Sequence, residues 1–129
     1  MTKRILMVED SEDNRQIIRD LMESVGYDLI EAEDGAAGVA MATEHRPDLI
    51  LMDIQLPVMD GYEACRRIKA DPELRHIPII AVTSYALSGD EAKTRAAGCD
   101  GYVTKPIRYK EFLAEMDAVM RRRRPAGAR

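Results

Sequence analysis

Residues 49–53 of the chain, LILMD, place a carboxylate directly after four apolar residues. An apolar run this short favours a buried β-strand over a helix. A carboxylate that ends such a strand is costly to bury unless it is paired or coordinates a metal. Asp53 is therefore the first candidate functional residue, and the segments on either side of it predict the fold that surrounds it.

Those flanking segments alternate between short extended runs and helical patterns. Four further strands are predicted at residues 5–8, 27–32, 77–82 and 101–104. Five helices are predicted at residues 14–25, 35–46, 61–70, 89–97 and 110–123. Apolar strands that alternate with helices indicate a parallel sheet covered on both faces. Because crossovers are right-handed, we expect a flavodoxin-like, doubly wound five-stranded α/β fold with strand order 2-1-3-4-5.

The length of 129 residues suits one domain, and no repeat, linker or low-complexity segment divides the chain. We expect residues 1–124 to form this domain and residues 125–129 to form a short, disordered basic tail. Residues 121–129 hold five arginines and no acid, whereas the body of the chain is acidic. The arginines suit a helix C-terminus, and the acidic body with only 5% aromatic residues disfavours nucleic-acid binding.

The lengths of the apolar segments predict where the protein is located. The apolar run at residues 5–8 is too short for a signal peptide, and no stretch reaches membrane-spanning length. We therefore expect a cytoplasmic protein with no membrane partner. Cys65 and Cys99 lack the spacing of a metal site, so they are interpreted as small apolar residues of the interior.

In a doubly wound sheet, the functional site lies beyond the strand ends where the strand order reverses. Glu9 and Asp10 follow the first strand, so they should converge with Asp53. Three clustered carboxylates repel unless a cation neutralises them, and such oxygen ligands suit Mg²⁺. Thr83 and Lys105, at the ends of the fourth and fifth strands, can neutralise a phosphoryl group. Asp53 can then attack phosphorus as a nucleophile and form an acyl phosphate.

Taken together, these strand-end residues resemble the response-regulator receiver family, which has a CheY-like fold. The resemblance covers about residues 4–120 and rests on Glu9-Asp10, Asp53 with Leu56-Pro57 and Met59-Asp60-Gly61, Thr83 with Ala86, and Lys105-Pro106. Two further motifs, His76-Ile77-Pro78 and Gly89-Asp90-Glu91, are similar to those of single-domain regulators of the DivK type.

The resemblance implies a role for each site residue. Asp53 would be the phosphoacceptor, and the Mg²⁺ ligands would be Glu9, Asp10, Asp53 and the backbone carbonyl of Gln55. Many family members carry Asp where this chain has Glu9, so a contact through water is an alternative for that ligand. Thr83 and Lys105 would contact the phosphoryl group, and Thr83 with Tyr102 would form a conformational switch.

The lifetime of the acyl phosphate depends on the residues that flank the attacking water. Gln55 and Tyr85, each two residues beyond a site residue, are expected to lie there. Gln55 is too weakly basic to deprotonate water, and Tyr85 is bulky enough to exclude solvent. We therefore expect a long-lived phosphoryl state.

The implied partners are a histidine kinase and/or a histidine phosphotransfer protein as donor, and a downstream protein target. Asn14 and Ile17, on the solvent-side flank of the first helix, are expected to meet the donor. The sequence shows no output domain, so we expect signalling by docking, as a monomer or a weak phosphorylation-dependent dimer. The protein would be no enzyme beyond assisting its own phosphorylation and dephosphorylation.

Three other functions fit parts of the pattern. A Mg²⁺-dependent phosphohydrolase of the haloacid-dehalogenase kind also uses a strand-end Asp, but it needs an acid where this chain has Gln55. A flavin mononucleotide carrier shares the fold, but residues 9–13, EDSED, would repel its phosphate. A receiver-like adaptor that is never phosphorylated is the third alternative, although it would not need the whole set of site residues.

Overall fold

A computed structural model describes residues 2–83 and 90–122 of the chain. The strands are β1 (Arg4–Val8), β2 (Asp28–Ala32), β3 (Leu49–Asp53), β4 (Ile79–Thr83) and β5 (Gly101–Thr104). The helices are α1 (Glu12–Val25), α2 (Gly35–His45), α3 (Gly61–Ala70), α4 (Asp90–Ala96) and α5 (Tyr109–Arg122). The predicted alternation of strands and helices is confirmed within these ranges.

The strands form one parallel sheet in the order β2-β1-β3-β4-β5. This confirms the flavodoxin-like, doubly wound prediction. Val8 pairs with Met52, and Asp53 pairs with Val82, so β1, β3 and β4 end at the same edge of the sheet. The strand order reverses between β1 and β3, which places a crevice at their carboxyl ends.

The sheet separates two apolar clusters, because successive residues of a strand point to opposite faces. Leu6, Ile50 and Met52 pack on the side of α2 and α3. Ile5 and Leu51 pack on the other side, against α1 and α5. All five residues of β3 and all five of β4 are buried. The edge strands β2 and β5 are mostly half-buried, so only the central strands are apolar on both faces.

The starts of α1 and β4 each differ by two residues from the sequence prediction. Helix α1 begins at Glu12 rather than Asn14, because the hydroxyl of Ser11 caps it by accepting from the backbone N–H of Asn14 at 3.4 Å. Strand β4 begins at Ile79 rather than at residue 77, since Pro78 has no N–H to donate to the sheet. None of the described helices has the length and apolar character needed to cross a membrane.

Candidate functional site

Three carboxylates meet where β1 and β3 end. Asp53 is only 3% exposed and Glu9, directly after β1, is 5% exposed, whereas Asp10 is exposed. One carboxylate oxygen of each residue lies within 4.8 Å of the other two. The structure therefore brings together the three acids that the sequence singled out.

Lys105, directly after β5, joins the two buried carboxylates. Its Nζ lies 3.0 Å from Oδ2 of Asp53 and 3.1 Å from Oε1 of Glu9. Burial alone would lower the pKa of Lys105, but the hydrogen bond to Asp53 and the charges of both carboxylates outweigh burial and raise the pKa. The ammonium is therefore held in its charged form. The backbone N–H of Lys105 donates to the carbonyl of Thr83 at 2.8 Å, and the Lys105–Pro106 bond is cis.

Hydrogen bonds hold both the side chain and the backbone carbonyl of Glu9. The N–H of Ser11 donates to its Oε2 at 3.1 Å, and the guanidinium of Arg15 donates to its carbonyl oxygen at 2.9 Å. Burial, followed by the nearby charge of Asp53, raises the pKa of Glu9 above its usual range. Ionisation of Glu9 is thus less favourable than that of a carboxyl group in water.

Arg15 is a positioning residue that the sequence analysis missed. Its side chain is 11% exposed and pairs with Glu12 at 2.7 Å while it reaches Glu9. On the sequence, Arg15 has the pattern of an ordinary charged residue on the surface of a helix, so no signal distinguished it.

The loop from β3 to α3 orients Asp53. The N–H of Gln55 donates to Oδ1 of Asp53 at 3.0 Å, which leaves Oδ2 to Lys105. Gly61 begins α3, and its N–H donates to the carbonyl of Ile54 at 3.0 Å. A Cβ at residue 61 would collide with the carbonyl oxygen of Asp53 and lie 2.7 Å from the Cα of Ile54. Glycine is therefore required for this close approach.

The two predicted switch residues lie on neighbouring strands. Thr83 ends β4, is 1% exposed and pairs in register with Thr104. Tyr102 lies in β5 opposite Ala81 and is half-buried. Tyr102 and Lys105 both line a cavity of about 430 Å³ at the α5 side of β5.

The predicted docking residues lie on α1 near the carboxylates. Asn14 lines a small cavity of about 10 Å³ together with Glu9, Asp53 and Lys105. Ile17 is 45% exposed, although it is apolar. The predicted lifetime residue Tyr85, the motif residue Ala86 and the predicted tail at residues 125–129 lie outside the described residues.

The donor set of the site fits a hard divalent cation. Glu9, Asp10 and Asp53 offer closely spaced carboxylate oxygens, which Mg²⁺ prefers to nitrogen or sulfur. Lys105 balances one of their three negative charges. The side chains of the site can thus hold Mg²⁺ with water completing its shell.

Comparison with known proteins defines the class. Residues 5–117 match the family described as the response regulator receiver domain. The chain therefore belongs to the response regulator receiver family, a class of two-component signalling proteins that generally accept phosphoryl groups rather than act as enzymes.

Within that family, the chain is similar to the polar-differentiation response regulator DivK. The DivK of Brucella ovis is 50% identical over 113 residues, which cover 88% of this chain and 92% of the relative. The identity agrees with the DivK-type resemblance predicted from the sequence.

Solved structures agree with the fold. The receiver domain of a sensor histidine kinase from Pseudomonas aeruginosa PAO1 has a TM-score of 0.86 and 38% identity, over 93% of this chain and 98% of that chain. That structure holds a magnesium ion coordinated in its active site cleft. The chemotaxis response regulator CheY4 of Vibrio cholerae has a TM-score of 0.87 and 27% identity, over 92% of this chain and 99% of that chain.

Proposed function

We propose that Asp53 accepts a phosphoryl group in the presence of Mg²⁺ and that the phosphorylated chain signals by docking to a protein target. The observation that carries this proposal is the buried carboxylate of Asp53, held 3.0 Å from Lys105 and clustered with two further acids. The donor would be a histidine kinase and/or a histidine phosphotransfer protein. The protein would act in the cytoplasm, as a monomer or as a weak phosphorylation-dependent dimer.

In the proposed step, a carboxylate oxygen of Asp53 attacks the phosphorus of the donor. The phosphorus–nitrogen bond of a phosphohistidine breaks, its electron pair stays on the imidazole, and an acyl phosphate forms on Asp53. The ammonium of Lys105 and the hydroxyl of Thr83 would contact the phosphoryl oxygens. Mg²⁺, when bound by the carboxylates and by the backbone carbonyl of Gln55, would supply further neutralisation of charge.

Residue 55 argues against a phosphohydrolase. A hydrolase of that class needs an acid two residues beyond the nucleophile, and the amide of Gln55 cannot donate a proton to a leaving group. The chain would therefore hold the phosphoryl group and only assist its own dephosphorylation. Tyr85 is proposed to prolong the phosphorylated state by shielding it from water.

The signal is proposed to leave the site through Thr83 and Tyr102. The hydroxyl of Thr83 would move to the new phosphoryl group, and the ring of Tyr102 would then turn inward. The cavity beside Tyr102 supports this proposal, since a ring with open space on one side can take up two positions. The donor is proposed to dock on α1 at Asn14 and Ile17, because one borders the site and the other exposes an apolar side chain.

The test is the intact mass of the protein after incubation with a small acyl phosphate and Mg²⁺. We expect the wild type to gain one phosphoryl group, and we expect Asp53→Asn to gain none. Asp60→Asn is the matched control, because Asp60 is an exposed acid in the same loop and asparagine caps a helix equally well.

Chelation of Mg²⁺ should slow the labelling of the wild type strongly. Labelling of Asp53→Asn at the wild-type rate would contradict the proposal. A wild type that is never labelled would favour the unphosphorylated adaptor instead.

A further inference from the structure

The two cysteines of the chain, which are separated by 34 residues, meet in the fold. Their Sγ atoms lie 3.1 Å apart, and both thiols are free. Cys65 lies on α3 and is fully buried, whereas Cys99 lies between α4 and β5 and is half-buried. Neither residue takes part in the site around Asp53, so the pair needs an explanation of its own.

The pair is close enough for a covalent bond. A disulfide requires its sulfurs to be about 2.05 Å apart, so the two Sγ atoms have to approach by about 1 Å. Cys65 is fixed within a helix, but Cys99 lies in a short connection that follows Gly98, whose φ is +100°. The proposed bond requires Cys99 in that connection to shift by about 1 Å toward Cys65.

The contact also favours ionisation of one thiol. A hydrogen bond from Cys99 lowers the pKa of Cys65, and the same bond raises the pKa of Cys99. The charge of Lys69 favours the thiolate and the charge of Asp100 opposes it. The favoured anion of the pair is therefore the thiolate of Cys65, with Cys99 as the thiol that donates to it.

An oxidant can reach the pair from one side. Cys99 lines a cavity of about 300 Å³ together with Thr94, Arg95 and Asp100. A molecule as small as hydrogen peroxide fits this cavity, whereas Cys65 is fully buried. Cys99 is thus the sulfur that an oxidant meets first.

We propose that Cys65 and Cys99 form a reversible intramolecular disulfide when the protein meets an oxidant of the peroxide class. As the proton of the Cys99 thiol passes to the thiolate of Cys65, the sulfur of Cys99 attacks one oxygen of the peroxide. The O–O bond breaks, the departing hydroxide takes up a proton from solvent and leaves as water, and a sulfenic acid remains on Cys99. The thiol of Cys65 then attacks the sulfur of that sulfenic acid, and a second water leaves. Two thiols lose two protons and two electrons in total, and one peroxide becomes two waters.

The disulfide would link α3 directly to the connection between α4 and β5. Asp100, next to Cys99, accepts from the N–H of Ile79 at 2.9 Å and from Lys69 at 3.0 Å. The start of β5 is thereby already anchored to β4 and α3, and the disulfide would tie it to α3 covalently. Since reducing compartments open most disulfides, this one would act there as a transient redox signal.

The test uses the full chain, first fully reduced and then titrated with hydrogen peroxide. We expect a monomer whose mass corresponds to the loss of two hydrogens, and peptide mapping should join residues 65 and 99. Both thiols should become unreactive to an alkylating reagent, and a dithiol reductant should restore them. The Tm should rise by on the order of 10 °C, because the crosslink removes entropy from the unfolded chain.

Cys99→Ser and Cys65→Ala are the control variants, and neither should show the mass loss or the rise in Tm. Cys99→Ser changes a half-buried position, so it keeps the test valid where Cys65→Ala loses stability. Separate oxidation of the two cysteines to sulfinic acids, a disulfide-linked dimer or a lowered Tm of the crosslinked wild type would overturn the proposal. None of these outcomes depends on Asp53, so the result is independent of the proposed phosphorylation.

Discussion

At the scale of single residues, the site balances charge poorly in the absence of metal. Glu9 and Asp53 are both buried and share the ammonium of Lys105, while Asp10 adds a third carboxylate. The pKa of Glu9 is raised, first by burial and then by Asp53. Such an arrangement costs some stability, and a bound cation would offset that cost.

This cost gives a pH-dependent prediction for Glu9→Gln. Because the pKa is higher in the folded state than the ordinary value of 4.5, the stability linked to protonated Glu9 is present below that value and is lost as the pH rises through the folded pKa. Without metal at neutral pH, the variant should therefore have a higher Tm than the wild type. The difference should shrink as the pH falls to about 4.

Thermal unfolding in chelator checks this prediction, with Glu23→Gln as the control at an exposed acid of α1. The control should show no such gain at any pH. In Mg²⁺ the order should reverse, because the variant lacks one of the proposed ligands. A lower Tm for Glu9→Gln in chelator would mean that the pair with Lys105 outweighs the buried charge.

At the scale of elements, the strands and helices that carry the site were predictable where the pattern is local. The run at residues 49–53 and the apolar spacing of α1 each carry their own signal, and so does Gly26 at the end of that helix with a φ of +77°. The start of α1 at Glu12 was not predicted. The acids on both sides of Ser11 also fit a solvated loop, so they hide the signal of Ser11 as a helix cap. Val58 has a φ of +69°, which valine rarely adopts, so its turn had no sequence signal either.

Contacts between elements were predictable only where the fold itself brings residues of matching chemistry together. Glu9, Asp53 and Lys105 converge because parallel strands end at one edge of the sheet. The contact of Arg15 with Glu9 depends on which rotamer crosses the gap, and the contact of Cys65 with Cys99 depends on how α3 packs. Neither the rotamer of Arg15 nor the packing of α3 can be recognised from a periodic pattern in the sequence.

The tight start of α3 gives a prediction at this scale. Gly61→Ala would push a methyl group into the backbone of Asp53 and Ile54, so the helix and the loop must separate. We expect a loss of about 1–3 kcal/mol in the free energy of unfolding, together with slower labelling by an acyl phosphate. Urea unfolding and the intact-mass assay measure the two effects.

Gly26→Asn is the control, because a Cβ at residue 26 meets no atom within 4 Å and asparagine tolerates positive φ. The control should label at the wild-type rate. A Gly61→Ala variant with unchanged stability and labelling would show that the loop can yield, and glycine would then not be required there.

At the scale of the whole molecule, the proposed signalling requires the site and the face around β5 to change together. Thr83 and Tyr102 lie on neighbouring strands, and the sheet joins them through the pairing of β4 with β5. Phosphorylation can change the conformation of Thr83 and Tyr102 only if one of two conformations binds the phosphoryl group better than the other. The hydroxyl of Thr83 is the group proposed to sense that difference.

Thr83→Ala should therefore separate phosphorylation from the response. We expect the variant to accept a phosphoryl group, with a rate reduced by roughly tenfold or less for the loss of one hydrogen bond. The NMR shift of the Tyr102 ring on phosphorylation should shrink or vanish. Thr43→Ala, at an exposed position on α2, should keep the full shift, and an equally full shift in Thr83→Ala would contradict the proposed coupling.

The most direct test of the central claim locates the acyl phosphate itself. The protein is labelled with a small acyl phosphate and Mg²⁺, reduced with borohydride, digested and sequenced by mass spectrometry. Borohydride converts an aspartyl phosphate to homoserine, so we expect homoserine at residue 53 and aspartate at residue 10. Homoserine at residue 10 with unmodified aspartate at residue 53, or no homoserine in a fully labelled protein, would contradict the assignment of Asp53 as the phosphoacceptor.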